Sequence, residues 1–535
     1  MSSRLQELAM LARARPGISS IVLGLIAACG YPPLHAWWIA LPALAAFLVL
    51  LREAKSWKSA AWLGWLFGWA HLTLANNWIA TAFTYQAKMP EFLGWIAVPL
   101  LCVYLAVYPA LAALFTHLLT RKLSASAFGV VFAGAWIVTE WLRAWVFTGY
   151  PWPPLGLVLL GDWESAGIAA VLPWLGTYAL SGLAILVAAL LAWAFSARRW
   201  LIGAAVSLIV ATAMLLPGGI GDPGDSDVNY TLVQPLLLQD EINDPRKFEE
   251  QFERITRLTL PGREQSRLVL WPESAVPDYL EEGYPQRYYD RMTAGGDPVL
   301  ARRRMAAVAG ADATLLTGAV NLDFKEEFGI KRVETARNSV LAIDAEGEIT
   351  GHYAKAHLVP YGEYLPLRPI LEPLGFSRLV AGSIDYDPGP GPGTLDLGEH
   401  GKAGIQICYE IVFSGEVVDQ ADRPDYIFNP SNDGWFGYWG PPQHLAHARL
   451  RAIEEGLPVL RSTTTGISAV IDATGIVRQS IPMGEAEAVS GVIPAAKSPT
   501  LFSRFGNVLP LGWAAFLLFL GLAGPRVLAL RWRRG

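Results

Sequence analysis

The chain has 535 residues, 53% of them hydrophobic and 17% charged, with a net charge of −5 and three cysteines. This is too apolar for an ordinary soluble protein of that length and too weakly charged for a general nucleic-acid role. Membrane segments are therefore sought first.

Apolar segments lie at roughly 17–30, 36–51, 59–80, 91–119, 127–147, 170–195, 200–217 and 507–524. About 20 apolar residues span a bilayer core, so most are long enough. The first two are short, and a re-entrant hairpin is the alternative there. Arg13 and Arg15 precede the first segment, and Arg52, Lys55 and Lys58 follow the second. Arg121 follows the fourth, Arg198 and Arg199 the sixth, and Arg526 and Arg531 the last. About eight spans with both ends cytoplasmic satisfy the positive-inside rule. Residues 1–217 then form a membrane domain of seven spans, and 507–535 hold the last span and a basic cytoplasmic tail. Residues 218–506 face outward, into the periplasm if the source is a bacterium. In the fifth segment Glu140 and Arg143 share a helix face, as a mutual ion pair or as a polar lining. Trp152, in the next loop, reads as an interfacial anchor or as part of an entrance for acyl chains.

A Pro/Gly/Asp linker, "PGGIGDPGDSD" at 217–227, opens the outward domain. Strands are expected at 228–235, 267–271, 313–320, 338–343, 403–408, 425–429, 458–463, 467–472 and 476–480. Helices are expected at 244–259, 297–309, 411–421 and 441–456. "DAEGEI" and "DATGI" read as hairpin turns. The pattern is that of an α/β domain long enough to bury its own core. Residues 361–400, rich in Gly and Pro, are the candidate lid.

Three motifs follow predicted strands, where α/β sheets place their sites. "LVLWPESAVP" puts Glu273 just past a strand beside Trp271, a setting suited to a general base. "YAKAHLVPYGEYLP" carries Lys355 and Glu363, and a lysine there can hold an oxyanion. His357 in the same stretch reads more readily as a structural residue. "IQICYE" carries Cys408, the outward domain's lone thiol and a candidate nucleophile. Cys29 and Cys102 fall in apolar segments and read as packing residues. Zinc spacing is absent, as is a G-x-S-x-G serine motif.

The order Glu, Lys, Cys on three strand ends resembles the nitrilase superfamily. With spans around it, and with "WPESAVP", "KAHLVPYGEYLP", "ICYE", "NPSNDGWFG" and "HLAHARLRAIEEGLPVLRSTTTGISAVID", the chain is similar to the apolipoprotein N-acyltransferase family throughout. The resemblance implies a nitrilase-like αββα sandwich over 218–506. It implies Glu273 as base and acid, Lys355 as oxyanion stabiliser and Cys408 as nucleophile. Glu363, Tyr409, Glu410 and Asn338 match supporting positions; Glu363 and Glu410 are both candidates to orient Lys355 or tune Glu273. The implied donor is a membrane phospholipid and the implied acceptor a diacylglyceryl apolipoprotein, in the bacterial inner membrane. No metal or organic cofactor is indicated. "LVQPLLLQDEIND" departs from the family's usual run there, so no aromatic lid residue is assigned to it. Rival readings are a membrane-anchored nitrilase-like amidase and a lipid-binding or transport protein with a degenerate enzyme domain.

Overall fold

The computed structural model describes residues 10, 12–85, 90–121, 123–221, 223–263, 265–374 and 384–532. Contacts divide the chain into two compact units. The first comprises residues up to Ala80, Phe92–Gly219 and Phe505 onward; the second comprises Thr81–Glu91 and Ile220–Arg504.

The first unit is helical. Among its described residues three helical stretches are long and apolar enough to cross a membrane: Phe92–Thr120, Ala125–Trp145 and Thr177–Ser196. Shorter apolar helices occupy Pro16–Ala28, Trp37–Arg52, Trp200–Leu215 and Val508–Gly524. Two details differ from expectation. The segment at 91–119 is two helices, Phe92–Leu105 and Val107–Thr120. Pro109 explains the break, because its ring nitrogen cannot donate to the carbonyl four residues back. The segment expected from 170 begins its long helix only at Thr177, after a short turn carrying Pro173 and Gly176. Glu140 and Arg143 are both buried, with 3.9 Å between charged atoms. Each also reaches the following loop: Glu140 Oε1 accepts from the Leu155 N–H at 2.8 Å, and Arg143 donates to the Pro153 carbonyl at 2.8 Å. Trp152 is no interfacial anchor. It is fully buried, with its ring centroid 4.7 Å from that of Trp78.

The described residues of the second unit form twelve strands: β1 (Asp225–Gln234), β2 (Arg267–Leu270), β3 (Ala313–Glu327), β4 (Ile330–Ile343), β5 (Ile349–Ala354), β6 (Gly393–Asp396), β7 (Lys402–Ile405), β8 (Tyr426–Ser431), β9 (Val459–Thr463), β10 (Ser468–Ile471), β11 (Val477–Ile481) and β12 (Glu487–Pro494). They form two six-stranded sheets, ordered β12-β1-β2-β3-β4-β5 and β11-β10-β9-β8-β7-β6. The sheets meet through β1 and β9. Ser462 donates to the Val233 carbonyl at 2.7 Å, and Thr463 donates to Gln234 Oε1 at 2.9 Å.

Helices α1 (Phe248–Thr259) and α2 (Pro298–Ala309) cover the first sheet; their Ile255, Ala301 and Met305 share a core with Val269, Trp271 and Leu315. On the other sheet lies α3 (Gly440–Glu455), started by two prolines in its first turn and ended at Gly456. Almost all its residues are buried, polar ones included. This gives the αββα layering.

The expected helix at 411–421 is absent. A short 3-10 turn, Cys408–Val412, is followed by turns around Ser414-Gly415. Unforeseen strands β5, β6 and β12 all lie at sheet edges, where one side lacks a partner and apolar patterning weakens. Of the candidate lid at 361–400, residues 375–383 lie outside the described residues.

The two sheets bring reactive loops together because β2 and β5 run parallel within the first, and β7 and β8 within the second. One close approach fixes the first loop. A Cβ on Gly318 of β3 would sit 2.7 Å from Glu273 Cα and 2.8 Å from the Pro272 carbonyl oxygen. Gly318→Ala is therefore expected to displace the Glu273 loop and cost about 1–3 kcal/mol of stability. Thermal unfolding measured beside catalytic rate checks this; unchanged values for both would show that the approach is not tight.

Candidate active site

Glu273 follows β2 by three residues. Trp271 turns away into the core, where its indole N–H donates to Thr259 Oγ1 at 3.0 Å, so it does not flank the carboxylate as the sequence suggests. The carboxylate of Glu273 is buried and bound on both oxygens. Asn338 Nδ2 donates to Oε1 at 2.6 Å, and the Asn432 backbone N–H donates to Oε2 at 2.7 Å.

Lys355 follows β5 and is 1% exposed. Its Nζ lies 3.0 Å from Glu363 and 3.8 Å from Glu273 Oε1. Glu363 also accepts from Asn338 Nδ2 at 2.8 Å and from the Val359 N–H at 2.8 Å. Asn338 thus spends its two amide hydrogens on two carboxylates, and holds both around one ammonium.

Cys408 was expected to end a strand. Instead β7 stops at Ile405, and Cys408 begins the 3-10 turn with φ +51°. A left-handed conformation costs a residue with a Cβ about 1–2 kcal/mol and is kept only where surroundings enforce it. Glu410 supplies part of that enforcement. Its carboxylate accepts from the N–H groups of Ile407 at 2.7 Å, Ala356 at 2.7 Å and His357 at 3.2 Å, and from Tyr353 Oη at 2.8 Å. It therefore ties the Lys355 loop to the Cys408 loop. Of the two roles left open for Glu363 and Glu410, direct contact with Lys355 falls to Glu363.

Tyr409 is buried, with its ring edge-on to Phe413. His357 stacks on Phe413 and sits 2.8 Å from Glu416, away from the trio. Of the aromatic pair in "SNDGWFG", Phe436 is buried against His444, and Trp435 meets Tyr85 edge-on. Arg449 binds the Gly475 carbonyl, and Glu454 pairs with Arg451. Ser431, Asn432 and Asp433 escaped the sequence reading. They sit in a stretch of turn-forming residues, and only the fold places them against Glu273 and Cys408.

A family model described as apolipoprotein N-acyltransferase N-terminal domain matches residues 23–190, and one for carbon-nitrogen hydrolase matches 237–495. An apolipoprotein N-acyltransferase from Rhodopseudomonas palustris is 31% identical over 95% of each chain. One from Caulobacter vibrioides is 32% identical over 95% of this chain and 94% of its own. The chain belongs to the apolipoprotein N-acyltransferase family. A solved amidase from Nesterenkonia sp. is 18% identical, with a TM-score of 0.34, covering 52% of this chain and 93% of its own.

In this apolipoprotein N-acyltransferase family member the charges at the site oppose one another. Burial pushes the Cys408 thiol well up, and the Glu273 charge pushes it further; the Lys355 charge pulls it down. Burial alone would lower the Lys355 ammonium, but Glu363 and Glu273 outweigh it and hold the group above the ordinary lysine value. Burial also raises Glu410, against its N–H donors.

Two substitutions should move Cys408 in opposite directions. Glu273→Gln removes a negative charge beside the thiol, so its alkylation profile shifts to lower pH. Lys355→Met removes the opposing positive charge and shifts it to higher pH; it also leaves buried carboxylates unpaired, at about 3–5 kcal/mol of stability. Peptide-resolved iodoacetamide labelling across neutral to alkaline pH separates Cys408 from Cys29 and Cys102. Shifts of the same sign in both variants would contradict this electrostatic account.

Proposed function

We propose that the chain transfers an acyl group from a membrane phospholipid, through a thioester on Cys408, to the α-amine of a diacylglyceryl-cysteine at a lipoprotein N-terminus. The observation that carries the reading is the buried meeting of Glu273, Lys355 and Cys408 in a chain of this family.

In the first half, Glu273 takes the thiol proton and the Cys408 sulfur attacks an acyl ester carbonyl. Lys355 and a backbone N–H near Cys408 stabilise the tetrahedral oxyanion, each such donor being worth about 3 kcal/mol. The C–O bond to glycerol breaks, protonated Glu273 returns its proton to the leaving oxygen, and lysophospholipid departs. In the second half, the lipoprotein amine attacks the thioester and loses a proton to Glu273. The C–S bond breaks, Glu273 passes that proton to the leaving sulfur, and both the thiol and the carboxylate are restored.

Proton transfer from Cys408 to Glu273 changes no net charge within the site, which is why a buried pair can perform it. Lys355 keeps the cluster of carboxylates tolerable throughout. Asn338 and Glu363 hold Lys355 and Glu273 in register, and Glu410 and Tyr409 support the loop that carries the nucleophile.

The membrane reading is about eight spans in the bacterial inner membrane with the catalytic unit on the periplasmic side. It rests on the apolar helices and on the alternation of basic loops.

The test uses the full chain in phospholipid vesicles with an acyl-labelled donor. A diacylglyceryl-cysteine peptide with a free amine should take up the label, and the same peptide with its amine blocked should not. Release of labelled fatty acid at equal rates with either peptide would favour the membrane-anchored amidase or hydrolase instead. Absence of any donor turnover would favour a lipid-binding protein.

A further inference from the structure

Behind the reacting groups lies a second cluster that the proposed mechanism leaves unused. Asp433, His444 and Arg461 come from the loop after β8, from α3 and from β9, and all three are buried. Arg461 Nη2 donates to both Asp433 oxygens, at 2.8 and 2.6 Å, and lies 2.9 Å from His444 Nδ1. His444 Nδ1 is 3.0 Å from Asp433 Oδ1. The other ring nitrogen, Nε2, lies 3.0 Å from the Cys408 carbonyl oxygen.

That last contact settles which nitrogen carries hydrogen. A carbonyl oxygen only accepts, so Nε2 must donate. Nδ1 faces both an acceptor, Asp433 Oδ1, and a donor, Arg461 Nη2, so the ring is anchored on that side while Nε2–H points at Cys408. Burial and the Arg461 charge both lower the His444 pKa, against Asp433. Burial would raise Asp433, but the Arg461 charge overcomes it and holds the carboxyl well below its ordinary value.

The cluster also governs the loop between β8 and α3. Ser431 Oγ donates to Asp433 Oδ1 at 2.7 Å. The neighbouring Asn432 N–H holds Glu273 Oε2. One short segment therefore touches both the Glu273 carboxylate and the buried cluster.

We propose that His444 is a positioning residue, which, anchored by Asp433 and Arg461, grips the Cys408 carbonyl and holds the left-handed backbone that aims the sulfur toward the substrate carbonyl. The proposal rests on Cys408 and Glu273 being nucleophile and base. Loss of the His444 contact lets Cys408 relax toward an ordinary backbone conformation and carries its sulfur away from the attack position. A misplacement of about 1 Å costs on the order of 10²-fold in rate.

Two substitutions divide the ring's contacts. His444→Asn places an amide near the Nδ1 position and keeps the Arg461 side, while losing the donor to Cys408. His444→Gln places an amide near the Nε2 position and restores that donor. The full chain in vesicles is incubated with acyl-labelled phospholipid, and the initial rate of Cys408 acylation is read by mass spectrometry beside thermal unfolding. The asparagine variant is expected to lose about 10²-fold in the rate constant at saturating donor with KM unchanged, and the glutamine variant to recover most of it. Equal rates in wild type and the asparagine variant would overturn the proposal. So would rates that follow only thermal stability, or a folded glutamine variant as slow as a folded asparagine one. If the asparagine variant does not fold, the glutamine variant decides: folded and active it supports the donor role, folded and inactive it overturns it. A wild-type chain that never acylates Cys408 removes the functional reading itself, which is a different failure.

Discussion

A buried cation organises this site. Lys355 has lost its water, and an unpaired ammonium in such surroundings would cost several kcal/mol. Glu363 and Glu273 lie close enough to supply the compensating charge. Burial first, and the Glu273 charge after it, hold the neighbouring thiol in its protonated form. In the proposed mechanism Glu273 is the acceptor, because moving the thiol proton there leaves the cluster's total charge unchanged. On the same proposal, reactivity is confined to the moment when a carbonyl lies within reach and its developing oxyanion can use Lys355.

Holding such a cluster requires that several loops agree to within a fraction of an ångström. The sandwich provides this by ending β2, β5, β7 and β8 around one place. Side chains then cross-link the loops: Asn338 joins Glu273 to Glu363, and Glu410 joins the Lys355 loop to the Cys408 loop. The Asn432 N–H joins Glu273 to the end of β8. Most of these bonds involve charged acceptors and backbone donors, which are shorter and stronger than neutral pairs. The strained Cys408 backbone is affordable only within such a frame.

Much of this was legible before any coordinates. The apolar segments, the central strands and the order of Glu273, Lys355 and Cys408 stand out because composition, turn residues and motif spacing are local signals. Edge strands β5, β6 and β12 do not stand out, since their half-exposed faces lack alternation. The false helix at 411–421 arose from an apolar run that the fold instead breaks with turns. Trp271 was misjudged because the period of a strand does not say which neighbour shares a face after the strand has ended. Asp433, His444 and Arg461 were invisible for a different reason. Each is an ordinary residue in its own segment, and only long-range packing gathers them behind Cys408.

The account's central claim is that Cys408 is the atom that carries the acyl group. The direct measurement is the mass of the Cys408 peptide after the full chain meets phospholipid in the absence of an amine acceptor. The account predicts one acyl group on that peptide, labile to hydroxylamine as a thioester is, and discharged when a diacylglyceryl-cysteine peptide is added. An unmodified Cys408 in a chain that still transfers acyl groups to the amine would contradict it.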